Sequence, residues 1–261
     1  MNSRGPLFGQ TIAVTRPRKQ AEALCALIAE AGGTPLFAPL LEISPPSDQH
    51  SLRAAREMLG AAELAIFISP NAVDYGVADL PDVGDWRPGL AVAAIGPGTE
   101  QALRQRGARE VILPEGRFDS ESLLAMPQLQ ADRVAGKQIL IFRGEGGREL
   151  LAETLAARGA HVVCAQCYRR SPPQSGYGGL VDACLRGELA ALTLSSSEGL
   201  RHFWQTLDQQ QRQCFSAIPV FVPHARIADV AHSLGMRQIV LTGPADVGMI
   251  AGLCAYNWPK S

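Results

Sequence analysis

The sequence predicts an α/β protein built as two similar domains, each a doubly wound parallel sheet. Three observations predict it. The chain repeats its own opening: Gly9 to Glu42 (GQTIAVTRPRKQAEALCALIAEAGGTPLFAPLLE) aligns without a gap on Gly136 to Arg169 (GKQILIFRGEGGRELLAETLAARGAHVVCAQCYR), at a constant offset of 127 (136 minus 9). Gly9 falls on Gly136, Arg16 on Arg143, Glu22 on Glu149 and Gly32 on Gly159. Apolar runs of strand length alternate with stretches of helical spacing, the pattern of parallel sheets flanked by helices. The third observation is size: 261 residues, 46% hydrophobic and 19% charged, suit about two domains with ordinary cores.

TIAVTR opens as a strand. In the helix that follows, Ala23, Leu24, Leu27 and Ile28 recur at helical spacing, and Gly32-Gly33 ends it. TPLFAPLLEI is extended, and Pro35 and Pro39 confine it to an edge or a linker. After the break SPPSDQ, a helix near Ser51 to Leu59 leads to the strand LAIFIS, which stops at Ser69-Pro70-Asn71 where a helix begins. LAVAAIG is the next strand, followed by Gly96-Pro97-Gly98-Thr99, the helix EQALRQRG, the strand EVILP, and a helix opened by Phe118-Asp119-Ser120.

The second copy supplies the strand QILIFR, the helix GRELLAETLAARGA and the extended stretch HVVCAQCYRR. That stretch ends in Ser171-Pro172-Pro173, as the first ends in Ser44-Pro45-Pro46. ALTLSSSEG then echoes AIFISPNAV, IPVFVPHARIADVAHSLG echoes LAVAAIGPGTEQALRQRG, and RQIVLT echoes REVILP.

A doubly wound sheet holds its ligand at the carboxyl ends of the strands. The strand-to-helix turns there are Arg16-Pro17, Ser69-Pro70-Asn71, Gly96-Pro97-Gly98-Thr99, Arg143-Gly144, Ser195-Ser196-Ser197 and Pro223-His224-Ala225, with Arg226 next. Each sets backbone N–H groups at a helix N-terminus, a natural seat for carboxylate or phosphate. Taken singly, each reads first as plain helix capping; it is the recurrence of six such turns over two domains that points to an anion-binding cleft. Arg16 and Arg143 hold the same place in the two copies; arginine grips carboxylates bidentately, or forms an ion pair within its own domain. Tyr168 offers a phenol able to give a proton, or to pack its ring and bond its tip.

Other chemistry finds little footing. A net charge of −1 argues against a nucleic-acid binder. Gly144-Glu145-Gly146-Gly147 does not follow a nucleotide-binding loop pattern, and no G-x-S-x-G marks a serine hydrolase. Cys164 and Cys167 lie three apart on a strand and so point to opposite faces, which reads as ordinary strand cysteines. The five histidines form no metal motif, and His202 and His232 read as helix-surface residues. MNSRGPLFGQ lacks a signal-peptide core and no apolar run approaches membrane length, so the six cysteines are expected as free thiols in a reducing cytoplasm.

Taken in order, the Thr-Arg-Pro at Thr15 to Pro17, FISPNAV, AIGPGTEQAL, LIFRGEGGRELL, the tyrosine of CYRR and LTLSSSEGL resemble the uroporphyrinogen-III synthases over essentially the whole chain. The resemblance implies two flavodoxin-like domains, a discontinuous one from 1–36 and 174–261 and an inserted one from 48–164. Linker strands 37–47 and 165–173 would pair between them as a hinge, with the ligand cleft between the domains. It implies a cyclising hydro-lyase of tetrapyrrole (haem) biosynthesis that closes a linear hydroxymethylbilane with eight carboxylates, inverts the last ring and loses water. No cofactor or metal is implied. The protein would act as a monomer, with at most transient contact with the preceding pathway enzyme. Tyr168 would be the proton donor and the turns would bind substrate. The sequence departs from the family at Val222 to Arg226, where His224 stands in place of a frequent hydroxyl residue and could meet a carboxylate in its stead. A non-catalytic two-lobed module for an anionic small molecule is the alternative, and a nucleotide-sugar transferase is a weaker one.

Overall fold

Ile12, Ala13 and Val14 carry no exposed surface. They form strand β1 (Thr11–Val14), which has a parallel neighbour on each side, and near-continuous apolar runs are what a strand covered on both faces requires. The structure is a computed structural model and describes residues 5–86 and 88–259. From β1 the chain runs through α1 (Arg18–Glu30), β2 (Thr34–Phe37), β3 (Glu42–Ser44), α2 (His50–Met58), β4 (Leu64–Phe67), α3 (Pro70–Gly76), β5 (Ala91–Ala94) and α4 (Pro97–Gln105). It continues through α5 (Ser120–Ala125), α6 (Ala131–Val134), β6 (Gln138–Gly144), α7 (Leu150–Ala157), β7 (His161–Ser171) and α8 (Gly178–Leu185). It closes with β8 (Ala191–Thr193), α9 (Ser197–Thr206), α10 (Gln209–Ala217), β9 (Val220–Val222), α11 (Ala225–Ser233), β10 (Ile239–Leu241) and α12 (Ala245–Ala255).

Two units result. The first takes the chain up to Glu42 and from Ser171 onward, and the second takes Ile43–Arg170. The first sheet has the order β10-β9-β8-β1-β2, and the second β3-β7-β6-β4-β5. β2, which carries Pro35, lies at an edge as its proline demands.

Four strands of the two sheets repeat in the same order, β9-β8-β1-β2 in the first and β5-β4-β6-β7 in the second; β10 and β3 are the edge strands that differ. β1 pairs with β8 in the register Ile12↔Ala191, and β6 pairs with β4 in the register Ile139↔Leu64. Both partners are displaced by 127 (139 minus 12, and 191 minus 64). The cores follow the same displacement. Ile12, Val14, Leu24 and Ile28 are buried together in the first unit, and Ile139, Ile141, Leu151 and Leu155 in the second. Each such aliphatic side chain contributes roughly 1.5–3 kcal/mol by leaving water. The chain is thus a tandem duplication, and each unit joins an early segment of one copy to a late segment of the other.

Three expectations are corrected. EVILP does not form a strand: among the described residues it contributes a single bridge, Ala93↔Ile112. Its counterpart β10 pairs over three residues with β9. Arg143-Gly144 does not open a helix. Gly146 (φ 69°) and Gly147 (φ 106°) adopt left-handed conformations, which hold the segment after β6 as a loop until α7 begins at Leu150. The cysteines are not all free: Cys184 on α8 and Cys214 on α10 form a disulfide. Helices α8 and α10 pack together and set the two Cα atoms 6.4 Å apart, within bridging range. Neither helix is announced by strong periodicity, so their pairing is invisible along the chain.

Candidate functional site

In the first unit, the turns after β1, β8 and β9 all lie at the carboxyl edge of one sheet. Thr15 and Thr193 lock the first two together: the Thr15 hydroxyl donates to Thr193 O at 2.6 Å, and the Thr193 hydroxyl to Ala13 O at 3.1 Å. Both side chains are buried, so these bonds hold the edge in place and are not on offer to a ligand. Pro17 precedes α1, whose first turn carries neither a side-chain cap nor an acidic residue. Its N-terminus therefore keeps its positive end uncompensated.

Arg16 forms an ion pair with Asp246, in the first turn of α12. The own-unit ion pair raised from sequence is the arrangement present. Asp246 was missed; the signal was Gly243-Pro244, which follows a strand just as Gly96-Pro97 does.

Ser196 caps α9 by accepting from Gly199 N at 3.1 Å. The neighbouring Ser197 hydroxyl is buried with no hydrogen-bond partner, and Ser195 is half-buried. Gly199 is required there, because a Cβ would lie 3.1–3.2 Å from Leu40 and Leu41. His224 occupies the cap position of α11 without capping it; His224, Ala225 and Arg226 are exposed.

In the second unit, the carboxyl edge runs from β7 across β6 and β4 to β5. Tyr168 on β7 has no exposed surface and belongs to the core cluster of Phe67 and Phe142. Its hydroxyl shares a 2.9 Å hydrogen bond with the Ser69 hydroxyl and accepts one from the Arg170 guanidinium at 3.1 Å, while that guanidinium stands 5.3 Å from the ring centroid. Gly144 makes room for the ring, since a Cβ there would lie 2.8 Å from two ring carbons. A register shift between Arg143 and Gly144 sets Gly144 opposite Tyr168.

Ser69, half-buried, also caps α3 by accepting from Ala72 N at 3.1 Å, with Pro70 and Asn71 in the first turn. Beyond it, Gly96 precedes α4, and a Cβ on Gly98 would touch Pro70 at 3.6 Å. Thr99 is buried.

Arg143 is also buried, and its guanidinium is used internally. It donates to Glu149 Oε2 and to Gly146 O, both at 2.9 Å, closing the glycine loop over itself. Glu145 turns outward and accepts from the Ser47 N–H and hydroxyl; these bonds hold its carboxyl below the usual range. Cys164 and Cys167 face opposite sides of the sheet, in different clusters. Burial pushes the Cys167 thiol up to about 12, far from a reactive thiolate.

Each unit therefore presents hydroxyls and helix N-termini along one sheet edge. The second adds a Tyr–Ser–Arg network able to hold and pass a proton. Among the described residues, no group of three or more His, Cys, Asp or Glu side chains is gathered to hold a metal. No helix among them is long and apolar enough to cross a membrane.

A family model described as Uroporphyrinogen-III synthase HemD matches residues 22–251. The chain is 33% identical over 240 residues to the uroporphyrinogen-III synthase of Escherichia coli (strain K12), covering 90% of this chain and 96% of that one. It is 34% identical over 241 residues to the Salmonella typhimurium enzyme of the same name, with the same coverage. In fold it resembles a mutant uroporphyrinogen III synthase from the extremely thermophilic bacterium Thermus thermophilus, with a TM-score of 0.60 at 20% identity over 93% of this chain and 96% of that one. It also resembles the uroporphyrinogen-III synthetase of Helicobacter pylori 26695, with a TM-score of 0.54 at 12% identity over 93% and 97%. At those identities the solved structures bear on the fold alone. By a family match across most of its length and by its relatives, the chain belongs to the uroporphyrinogen-III synthase family.

Proposed function

We propose that the protein closes linear hydroxymethylbilane to uroporphyrinogen III, with loss of water and inversion of ring D. The observation that carries this reading is the end-to-end match to the Escherichia coli relative, 96% of whose length is covered. A proton reaches the hydroxymethyl oxygen as its C–O bond breaks, and water leaves. The azafulvene cation that remains is attacked by the substituted carbon of ring D. The spiro intermediate opens and closes again with ring D reversed, and the ring proton is released. The pyrroles supply the electrons. The protein holds eight carboxylates so that ring D attacks through the right carbon, an effect of orientation.

The carboxylate-binding turns are those at the two sheet edges: Ser69, Asn71, Gly96, Gly98 and Thr99 donate in one unit, and Ser195, Ser196, Ser197, His224, Ala225 and Arg226 in the other, while Pro70 and Pro17, which have no N–H to give, shape the turns and offer the substrate ring contact only. Because Tyr168 is fully buried and Ser69 is not, Tyr168 is the proton source and the Ser69 hydroxyl the group that passes the proton outward. Arg16, Arg143 and Gly144 support these edges, the arginines through their ion pairs. The protein works as a cytoplasmic monomer without a resident cofactor, meeting the enzyme that makes its substrate only in passing.

The test feeds the protein hydroxymethylbilane made enzymatically in the same vessel, oxidises the products and separates isomers I and III. Isomer III in excess is expected. Isomer I alone, the outcome of unassisted closure, overturns the reading.

A further inference from the structure

The duplication allows one unit to be used as a template for the other. At the amino-terminal end of the first sheet, Leu7 and Ala191 lie in a core against which Val240, Tyr256 and Trp258 pack. The chain leaving α12 supplies both rings. Tyr256 stands 5.3 Å and Trp258 5.9 Å from the Phe221 ring, and 4.9 Å from each other.

The corresponding residues of the second unit are Val134, Leu64 and Ile112 (127 from Leu7, 127 from Ala191 and 128 from Val240), and the place of Phe221 is taken by Ala93. No aromatic pair follows α5. The chain turns instead through a short helical turn, Pro127–Leu129, into α6. Leu129 of that turn is fully buried in the same core, and beside it remains a pocket of about 420 Å³, lined by Leu64, Ala91, Ile112, Val134 and, from the turn itself, Pro127 and Gln128, with Arg133, Lys137 and Glu63 around it. The Glu63 carboxylate already accepts from Gln138 N at 2.7 Å. Arg133 is partly engaged by Asp132 at 3.5 Å, an exposed pair of small worth. Lys137 is exposed and is the cation left to anchor a ligand.

We propose that this pocket is a binding site for a planar aromatic monocarboxylate, whose ring packs beside Leu129 in the part of the place filled by Tyr256 and Trp258 in the sister unit that Leu129 leaves open, and whose carboxylate meets Lys137. Leu64 and Ala91 are the first residues of β4 and β5, whereas the turns of the candidate active site follow the last residues of those strands. The occupant is therefore a second ligand and not the substrate. Binding to the folded chain alone stabilises it.

The experiment titrates indole-3-acetate into the full-length protein and follows backbone amide shifts. Saturable shifts centred on Leu64, Ala91, Ile112 and Val134 are expected, with Ser69 and Gly98 unmoved. Lys137→Ala is expected to weaken binding about tenfold, the scale of one charge-assisted hydrogen bond at a part-exposed site. Ala91→Trp, which places an indole in the cavity, is expected to raise Tm and abolish the shifts. No saturable shift at these amides, an unchanged affinity in Lys137→Ala, or undiminished binding in Ala91→Trp would overturn the proposal.

Discussion

The Tyr168 and Ser69 hydroxyls, 99 residues apart in the chain, lie 2.9 Å from each other at one sheet edge, and Arg170 donates to the tyrosine oxygen from the same strand. This joins a group with no solvent access to one that has it. Tyr168→Phe keeps the ring and removes the proton. Turnover is expected to fall roughly 10²–10⁴-fold, as for a lost general acid, with KM little changed. Ser69→Ala is expected to match that loss and to cost about 1 kcal/mol of stability through the missing helix cap. Steady-state kinetics and urea unfolding check both. Near-normal turnover in both variants would reduce the pair to packing.

Gly144 is the floor under the Tyr168 ring. Gly144→Ala drives a methyl into two ring carbons on a strand that cannot yield. A stability loss of about 1–3 kcal/mol is expected, as for other overpacked cores, together with turnover reduced toward that of Tyr168→Phe. Full turnover with full stability would show the ring free to move.

The Arg16–Asp246 pair decides whether Arg16 can serve a substrate carboxylate. In Asp246→Asn the guanidinium is released, and KM for hydroxymethylbilane is expected to fall. In Arg16→Gln it is expected to rise. An unchanged KM in both makes the pair purely structural.

The disulfide between Cys184 and Cys214 closes a sequence separation of 30 residues. On the chain-entropy scale such a link contributes about 3–4 kcal/mol, so reduction, or Cys184→Ser, is expected to lower Tm by about 10 °C. The bond also runs against the expectation of a reducing compartment. Alkylation of freshly lysed cells followed by mass measurement reads the state directly: two alkylated thiols at these positions mean that the link closes only after extraction.

Glu145 yields a pH dependence whose sign is fixed. Its folded-state pKa is lowered by the Ser47 hydroxyl and N–H. Its contribution is therefore complete above the ordinary glutamate value of about 4.3 and is lost as pH falls through the lower folded value. Unfolding midpoints measured from pH 6 down to pH 3 are expected to fall less steeply in Glu145→Gln than in the unaltered chain. Parallel curves would show that the Ser47 bonds do not persist in solution.

The duplication was legible because both periodicity and register survive in it: an offset read from Gly9 and Gly136 reappears in the pairing of Ile12 with Ala191 and of Ile139 with Leu64. The turns at Ser69, Gly96, Ser196 and His224 were equally legible, because the signals that end a strand and start a helix are local: capping serines at Ser69 and Ser196, and a proline beside Gly96 and His224. Arg143 was not, since two left-handed glycines remove the helix its counterpart precedes. Nor was the partner of Arg16, which sits 230 residues away on α12, a helix whose apolar residues show little facial bias. The burial of Tyr168 depends on a register shift one strand away and leaves no trace in its own neighbourhood.

The interchange of segments between the copies sets the order in which the protein can be made. β1 pairs with β8 across 179 residues (191 minus 12), Ile12 with Ala191, whereas every strand of the second sheet lies within one uninterrupted stretch. On a ribosome the second unit therefore completes first. The opening strand can pair early with β2, Thr11 with Thr34, but its other edge waits until the last third of the chain emerges, and long-range pairing of this kind is intrinsically slow. A nascent chain arrested before Ala191 holds one finished lobe and an orphan strand-and-helix arm, the stage at which a chaperone has most to shield.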